Sequence, residues 1–186
     1  VDIYVPEKFE TNRLLIRAPK DADAQPLFDA ICESYEHLKP WMPWAQQKPI
    51  LAETQANIRK ARQQFFDRED LRLHLFDKAT GELVGCSGLH RLDWKLRKFE
   101  IGYWIRASRA GQGLMTEAVA GITEFAVKKL DANRIEIRTH PENVRSIKIA
   151  ERLGFTLEGV LRKDRFDMQG VLRDTMVFAK VRGVEF

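Results

Sequence analysis

Long apolar runs are missing from this chain of 186 residues. No stretch reaches the ~18 apolar residues that a bilayer-crossing helix needs, so a membrane span of that kind is excluded. Val1 to Glu10 mixes polar and apolar residues without a basic start and an apolar core, and a signal peptide is not expected there. Cysteine is scarce: Cys32 and Cys86 are the only two, with no paired spacing and no nearby histidine that points to zinc. Cys32 falls in a helical pattern and Cys86 in an apolar strand. Both are expected as buried small hydrophobes rather than a disulfide or a nucleophile, in a reducing, cytoplasmic setting. Blocks of five like charges are absent as well. The 31 basic side chains against 27 acidic ones leave a net charge of +4. That balance tolerates an anionic ligand, but the interspersed charges and the lack of an RNA-binding aromatic motif read as an ordinary solvated surface. No repeat, low-complexity segment or linker divides the chain, so residues 1–186 are read as one domain.

What is present is a mixed pattern of strands and helices. TNRLLIRA, Thr11 to Ala18, reads as a strand ended by Pro19. Ala24, Leu27, Phe28 and Ile31 recur at helical spacing within Asp21 to Tyr35, and Ala52 to Arg68 reads as a second, charged helix. Between them LKPWMPWA, Leu38 to Ala45, cannot be a regular helix because of Pro40 and Pro43. Its tryptophans, Trp41 and Trp44, either line a pocket or cover the core. Three strands follow, Leu71 to Phe76, Leu83 to Leu89 and Lys98 to Ile105, with a turn at Lys78 to Gly81. In the third, Phe99, Ile101, Tyr103 and Ile105 alternate with Glu100, Gly102 and Trp104 on the other face. Leu114 to Leu130 is a helix, Arg134 to Arg138 a strand, and Asn143 to Leu153 a helix closed by Gly154. Two strands, Phe155 to Leu161 and Val171 to Val181, flank a turn at Gly170. The fold class is α/β, mostly antiparallel, with the strand-helix-strand unit in the middle pairing in parallel.

The segment YWIRASRAGQGLMTEA, Tyr103 to Ala118, runs from strand through a glycine loop into a helix. Free backbone N–H groups and the helix dipole make such a junction an anion site, and glycine lets phosphate approach the amides. Thr116 adds a hydroxyl, and Arg106 and Arg109 add charge nearby. The same glycines also serve a bare turn, and the Lys-Ser/Thr pair of a nucleoside-triphosphate loop is missing. In NVRSIKIAERLGF, Asn143 to Phe155, Asn143 reads as an N-cap with Ser146 three residues on.

Taken together, EIGYWI, AGQGLMTEA and NVRSIKIAERLGFTLEG resemble the GNAT acetyltransferases, and within them the group that acetylates ribosomal-protein serine or alanine N-termini. ETNRLLIRAPKDAD, PWMPW and the closing hairpin with Gly170 and Asp174 are consistent with that group. The resemblance implies a sheet of about seven strands with about four helices, parallel and splayed between its fourth and fifth strands, near 98–106 and 133–139. Acetyl-coenzyme A would lie in the gap as co-substrate, with its pyrophosphate over Arg109, Gly111, Gln112, Gly113, Leu114, Met115 and Thr116. Asn143 and Ser146 would flank the pantetheine and the sulfur. Against the family pattern Arg/Gln-x-x-Gly-x-Gly/Ala, Ala110 and Met115 depart from the first and last positions; Arg109, one residue away, is a candidate substitute, and what supports the pyrophosphate there is left open. The resemblance also assigns Glu100 as general base through a water and Ser146 as partner to the leaving sulfur. A bulge is common in the strand of Glu100 and would change which side chains face the cleft. The implied partner is an amine, such as a ribosomal-protein N-terminus, and a homodimer is compatible. No metal, membrane or nucleic acid is implied.

Other readings of the same residues stand beside this one. Glu100 is also read as an ordinary strand residue paired with Arg97, Lys98 or a neighbouring strand. His90 and His140, at strand ends, titrate near neutrality in general, yet plain surface or core roles suit both. The chain as a whole is alternatively an acyl-coenzyme A sensor or scaffold without turnover, an enzyme acting on a small-molecule amine, or, on net charge alone, an RNA- or ribosome-binding protein.

Overall fold

The computed structural model describes residues 4–167 and 169–186, which form eight strands and four α-helices. In chain order these are β1 (Lys8–Glu10), β2 (Leu14–Arg17), α1 (Ala24–Leu38), α2 (Leu51–Phe66), β3 (Leu71–Asp77), β4 (Leu83–Asp93) and β5 (Lys98–Ile105). There follow α3 (Leu114–Lys129), β6 (Arg134–Thr139), α4 (Val144–Arg152), β7 (Thr156–Phe166) and β8 (Leu172–Val181). The strands make one sheet in the order β1-β2-β3-β4-β5-β6-β8-β7. Only β5 and β6 pair in parallel among the described residues. The crossover helix α3 makes that possible, as the strand-helix-strand pattern predicts. No helix among the described residues is long and apolar enough to cross a membrane.

Alternation along the strands divides the core into two layers. Leu71, Leu73 and Leu75 of β3, Leu89 of β4, and Phe99 and Ile101 of β5 point to one face. There they meet Leu114, Met115, Ala118, Val119, Ile122, Phe125 and Ala126, a helical stripe along α3. Each of the larger apolar side chains among them, fully buried, contributes about 1.5–3 kcal/mol. On the opposite face Cys86 and Trp104 pack with Ala24, Leu27 and Ala30 of α1 and Ile58 of α2. A polar network lies within the sheet. Asp23 accepts from both terminal nitrogens of Arg17, at 2.8 and 2.6 Å, and its Oδ2 lies 2.7 Å from His74 Nδ1.

Three expectations need correction. An eighth strand, β1, adds itself to the seven read from the pattern; with only three residues it is too short for alternation to announce it. Cys32 is exposed rather than buried, because the stripe of α1 that faces the core runs through Ala24, Leu27 and Ala30 and leaves it outside; Cys86 is buried as expected. The bulge belongs to β4 rather than to the strand of Glu100. The ladder jumps from His90↔Glu100 to Asp93↔Lys98, placing the extra residue in β4, where Arg91 has φ 48°. Alternation in β5 is therefore unbroken.

Candidate active site

The parallel pairing of β5 with β6 covers only Lys98↔Arg134, Phe99↔Ile135 and Glu100↔Glu136. Past that point β6 follows β8 as far as Thr139↔Met176, and β5 follows β4 as far as Ile105↔Gly85. The two strands part, leaving one edge of residues 101–105 without a strand partner. A cleft of about 440 Å³ occupies the gap. Ile101, Tyr103 and Ile105 line one wall, Ile137 and Thr139 the other, and Met115, Asn143, Ser146 and Ile149 the helical side. Unpaired backbone N–H and C=O groups at such an edge will bond to any ligand carrying amides in strand-like spacing.

At one end of the cleft lies the glycine loop. Gly111 and Gly113 both have φ 76°, the left-handed region, so the turn itself requires glycine at each. A Cβ on Gly111 would meet nothing within 4 Å, which leaves its backbone open to an approaching group. Gly113 caps α3, and its carbonyl accepts the first hydrogen bond of the helix, from Glu117 N at 3.0 Å. The amides of Leu114, Met115 and Thr116 lie in that first turn, where N–H groups have no partner within the helix. Ala110 and Met115 reach the cleft itself. The loop thus fits an anion.

The expected cations, Arg106 and Arg109, are both held in ion pairs. Arg109 is tied to Asp77 and, at 3.4 Å, to Glu82; Arg106 is held by Glu33 at 2.6 Å and Glu82 at 2.9 Å. These pairs dock the loop to α1 and to the β3–β4 turn. Adjacency in sequence said nothing about the carboxylates waiting on other elements. Arg13, which sequence reasoning missed, stands beside the loop instead. It donates to Gln112 O at 3.0 Å, while its Nε meets Glu117 at 2.6 Å. Its NH2 lies 3.5 Å from the site of a Gly113 Cβ.

Along the helical wall, Asn143 Oδ1 accepts from Ser146 N at 3.3 Å and caps α4, an interaction worth ~1 kcal/mol in general. Ser146 Oγ meets the Tyr103 hydroxyl at 2.9 Å, inside the cleft. Burial pushes the Tyr103 hydroxyl up to about 12, against a smaller opposite effect of the Ser146 bond, so it stays protonated at neutral pH. His140 also lines the cleft, with Nδ1 accepting from Glu142 N at 3.1 Å and the Trp41 ring 6.0 Å away.

A second cavity, about 680 Å³, opens on the face covered by α1 and α2. It shares Met42, Gly102, Tyr103 and Trp104 with the first, so the two meet across β5. Trp41 lines the first and Trp44 the second, its ring 6.0 Å from that of Trp104. With Trp44 51% exposed, the PWMPW loop walls the cavities and does not seal the core. His90 lines the second cavity and pairs with Asp70. Glu100 lines neither. Its carboxylate lies 3.4 Å from Arg91 and 3.8 Å from Arg138, beside the point where β5 and β6 part.

A family profile for the acetyltransferase (GNAT) domain matches residues 13–156. Over 173 residues, 92% of each chain, the sequence is 31% identical to YdaF of Bacillus subtilis (strain 168), a candidate ribosomal N-acetyltransferase. It is 25% identical over 174 residues to the ribosomal-protein-serine acetyltransferase of Escherichia coli (strain K12), covering 92% of this chain and 94% of that protein. Among solved structures, the microcin C7 self-immunity acetyltransferase MccE, in complex with acetyl-CoA and AMP, superposes with a TM-score of 0.85. That match has 25% identity and covers 92% of this chain and 93% of the other.

Proposed function

The chain belongs to the GNAT acetyltransferase family and is an acetyl-CoA-dependent N-acetyltransferase; from that premise we propose that its acceptor is the amine of a protein N-terminus. The observation carrying this reading is the meeting of two cavities at Gly102, Tyr103 and Trp104. The cleft between β5 and β6 suits the donor, since one end opens on the glycine loop and its wall is an unpaired strand edge. The cavity of about 680 Å³ on the other face leaves room for the first residues of a peptide, whose amine would reach the thioester through the shared strip. Ribosomal-protein N-termini are the first class to test, given the names of the relatives.

In this reading the chain's residues do four things. The amides from Gly111 to Thr116 hold the pyrophosphate. The free edge of β5 aligns the pantetheine arm and offers an N–H to the thioester oxygen, where negative charge develops. Walls on both faces keep amine and carbonyl in contact, which supplies a large share of the acceleration. Ser146, backed by the protonated Tyr103, donates to the sulfur as the carbon–sulfur bond breaks. The attacking ammonium must also lose a proton, and Glu100 and His90 are the two groups on the acceptor face of the sheet that compete for it.

The test is an acceptor panel with acetyl-CoA, read as free thiol and confirmed by product mass. Peptides beginning with Ser or Ala are set against lysine side chains and small amines, including an aminoacyl nucleotide. Preference for N-terminal amines supports the reading. Turnover of small amines alone would favour a small-molecule acceptor seated between Trp44 and Trp104. Binding of acetyl-CoA without turnover of any amine would leave a sensor or scaffold.

A further inference from the structure

We infer that His90, oriented by Asp70, is the base that takes the proton from the acceptor amine; the inference rests on the acyl-transfer reading above. His90 Nδ1 lies 2.6 Å from Asp70 Oδ2. A carboxylate there fixes the tautomer with the proton on Nδ1 and leaves the Nε2 lone pair as the basic atom, the arrangement by which a carboxylate prepares an imidazole for proton transfer. Nε2 has no hydrogen-bond partner among the described residues.

The position of the ring is what ties this pair to the reaction. Gly88 and Gly102 are register partners across β4 and β5, and the imidazole lies over both. A Cβ on Gly102 would stand 3.0 Å from His90 Cδ2 and 3.3 Å from Nε2; one on Gly88 would stand 3.2 Å from Cε1. Two missing side chains thus make the floor on which the ring rests. Gly102 is also part of the strip that both cavities share, so the basic nitrogen faces the place where amine and thioester meet. Glu100 stands opposite His90 in the ladder but lines neither cavity.

The charged groups around His90 come from every neighbouring element. Asp70 and Arg72 belong to β3 and the turn before it, Lys48 and Glu53 to the approach to α2 and to α2, and Arg91 and Glu100 to the β4–β5 ladder. Arg72 is committed to Asn57.

The proposed step balances without a further reactant. The ammonium gives its proton to Nε2, and the freed lone pair forms the new carbon–nitrogen bond. The thioester carbon–sulfur bond then breaks with its electron pair on sulfur, which takes a proton from the Ser146 hydroxyl, while the second proton of the attacking nitrogen, acidic in the tetrahedral adduct, passes to the Ser146 oxygen and restores the hydroxyl. The imidazolium, beside Asp70, returns its proton to solvent when product leaves.

The experiment measures kcat at saturating Ser-initiated peptide, across pH, with coenzyme A affinity and apo melting curves as controls. His90→Gln should lower kcat by ~10²–10⁴ and abolish its acid limb, with coenzyme A affinity and fold unchanged. In His90→Ala, added imidazole should restore part of the rate. Asp70→Asn tests the positioning role: it should lower kcat while leaving KM and coenzyme A affinity unchanged, because the carboxylate that fixes the tautomer of the ring is gone. Glu100→Gln is the competing arm. If the acid limb vanishes there and persists in His90→Gln, or if Asp70→Asn leaves kcat unchanged, the inference is overturned while the acyl-transfer reading stands. If the wild-type protein releases no thiol with any amine, that reading falls, and this one with it.

Discussion

The hydroxyls of Tyr103 on β5 and Ser146 on α4 meet at 2.9 Å across the cleft, joining a strand and a helix 43 residues apart. Because Tyr103 is pushed up to about 12 by burial, the pair holds a proton throughout the neutral range. A thiolate is a fair leaving group, so the donor's contribution is modest. Tyr103→Phe and Ser146→Ala should each lower kcat by about tenfold, and the double variant should fall little further, since the two act as a unit. Thiol release under saturating acetyl-CoA gives the numbers. An additive double variant would mean that the hydroxyls serve separate ends.

Gly111 offers a cleaner test of the anion loop than Gly113, where Arg13 stands close. With φ 76° and open space at its Cβ position, Gly111→Ala should cost about 1–2 kcal/mol of stability through backbone strain alone. It should also weaken coenzyme A. A pantetheine thioester, which lacks the pyrophosphate, should bind the variant and the wild type alike. Calorimetric titrations beside apo melts separate the two effects, and equal loss for both ligands would move the phosphates elsewhere.

Arg13 clamps the same loop through Gln112 O and Glu117. Its side chain is 45% exposed, so Arg13→Ala should change stability by no more than ~1 kcal/mol, while coenzyme A affinity falls and loses part of its salt dependence. A titration at low and high salt decides whether Arg13 acts on the ligand's charge or only on the loop.

The buried network of Arg17, Asp23 and His74 sets the acid response of the fold. Burial lowers the proton affinity of His74, while Asp23 opposes it. For Asp23, burial acts upward, but hydrogen bonds from His74 and Arg17 win and hold its carboxyl well below the usual carboxylate range. The unfolded chain therefore binds the His74 proton more tightly, and stability is lost as pH drops below about 6.5, then further below about 4 as Asp23 is forced toward protonation. Urea midpoints between about pH 5 and pH 8 should show the first loss in the wild type and lack it in His74→Asn. That variant will itself be less stable, so the slope and not the midpoint carries the result.

The sheet, its parallel pair and the glycine loop were legible because they rest on local chemistry. Alternation of apolar residues in β3 and β5, the stripe along α3, and Asn143 ahead of Val144 are read within a few neighbours. What escaped depended on pairs far apart in the chain. Tyr103 alternates with Phe99 and Ile101 and reads as core; only the arrival of α4 gives its hydroxyl a partner. Arg109 sits next to the loop in sequence, yet its partners, Asp77 and Glu82, lie elsewhere in the chain. Arg13 comes nearly 100 residues before the loop it braces. The resemblance singled out Glu100 and left His90 an ordinary strand residue; that His90 lines the second cavity and Glu100 does not depends on how β4, β5 and α2 meet.

The parting of β5 and β6 has a mechanical side. One half of the sheet, β1 to β5, and the other, β6 to β8, are sewn together by three residue pairs at a single end, with the remaining seam open. A donor lying along that seam works as a suture, tying the two halves at points that the chain leaves unstitched. Its departure would leave the strand ladder joined across that seam only by the pairs from Lys98↔Arg134 to Glu100↔Glu136. Loading and release would thus be felt by the whole sheet, and amide exchange along residues 101–105 and 137–139 should slow when the seam is filled.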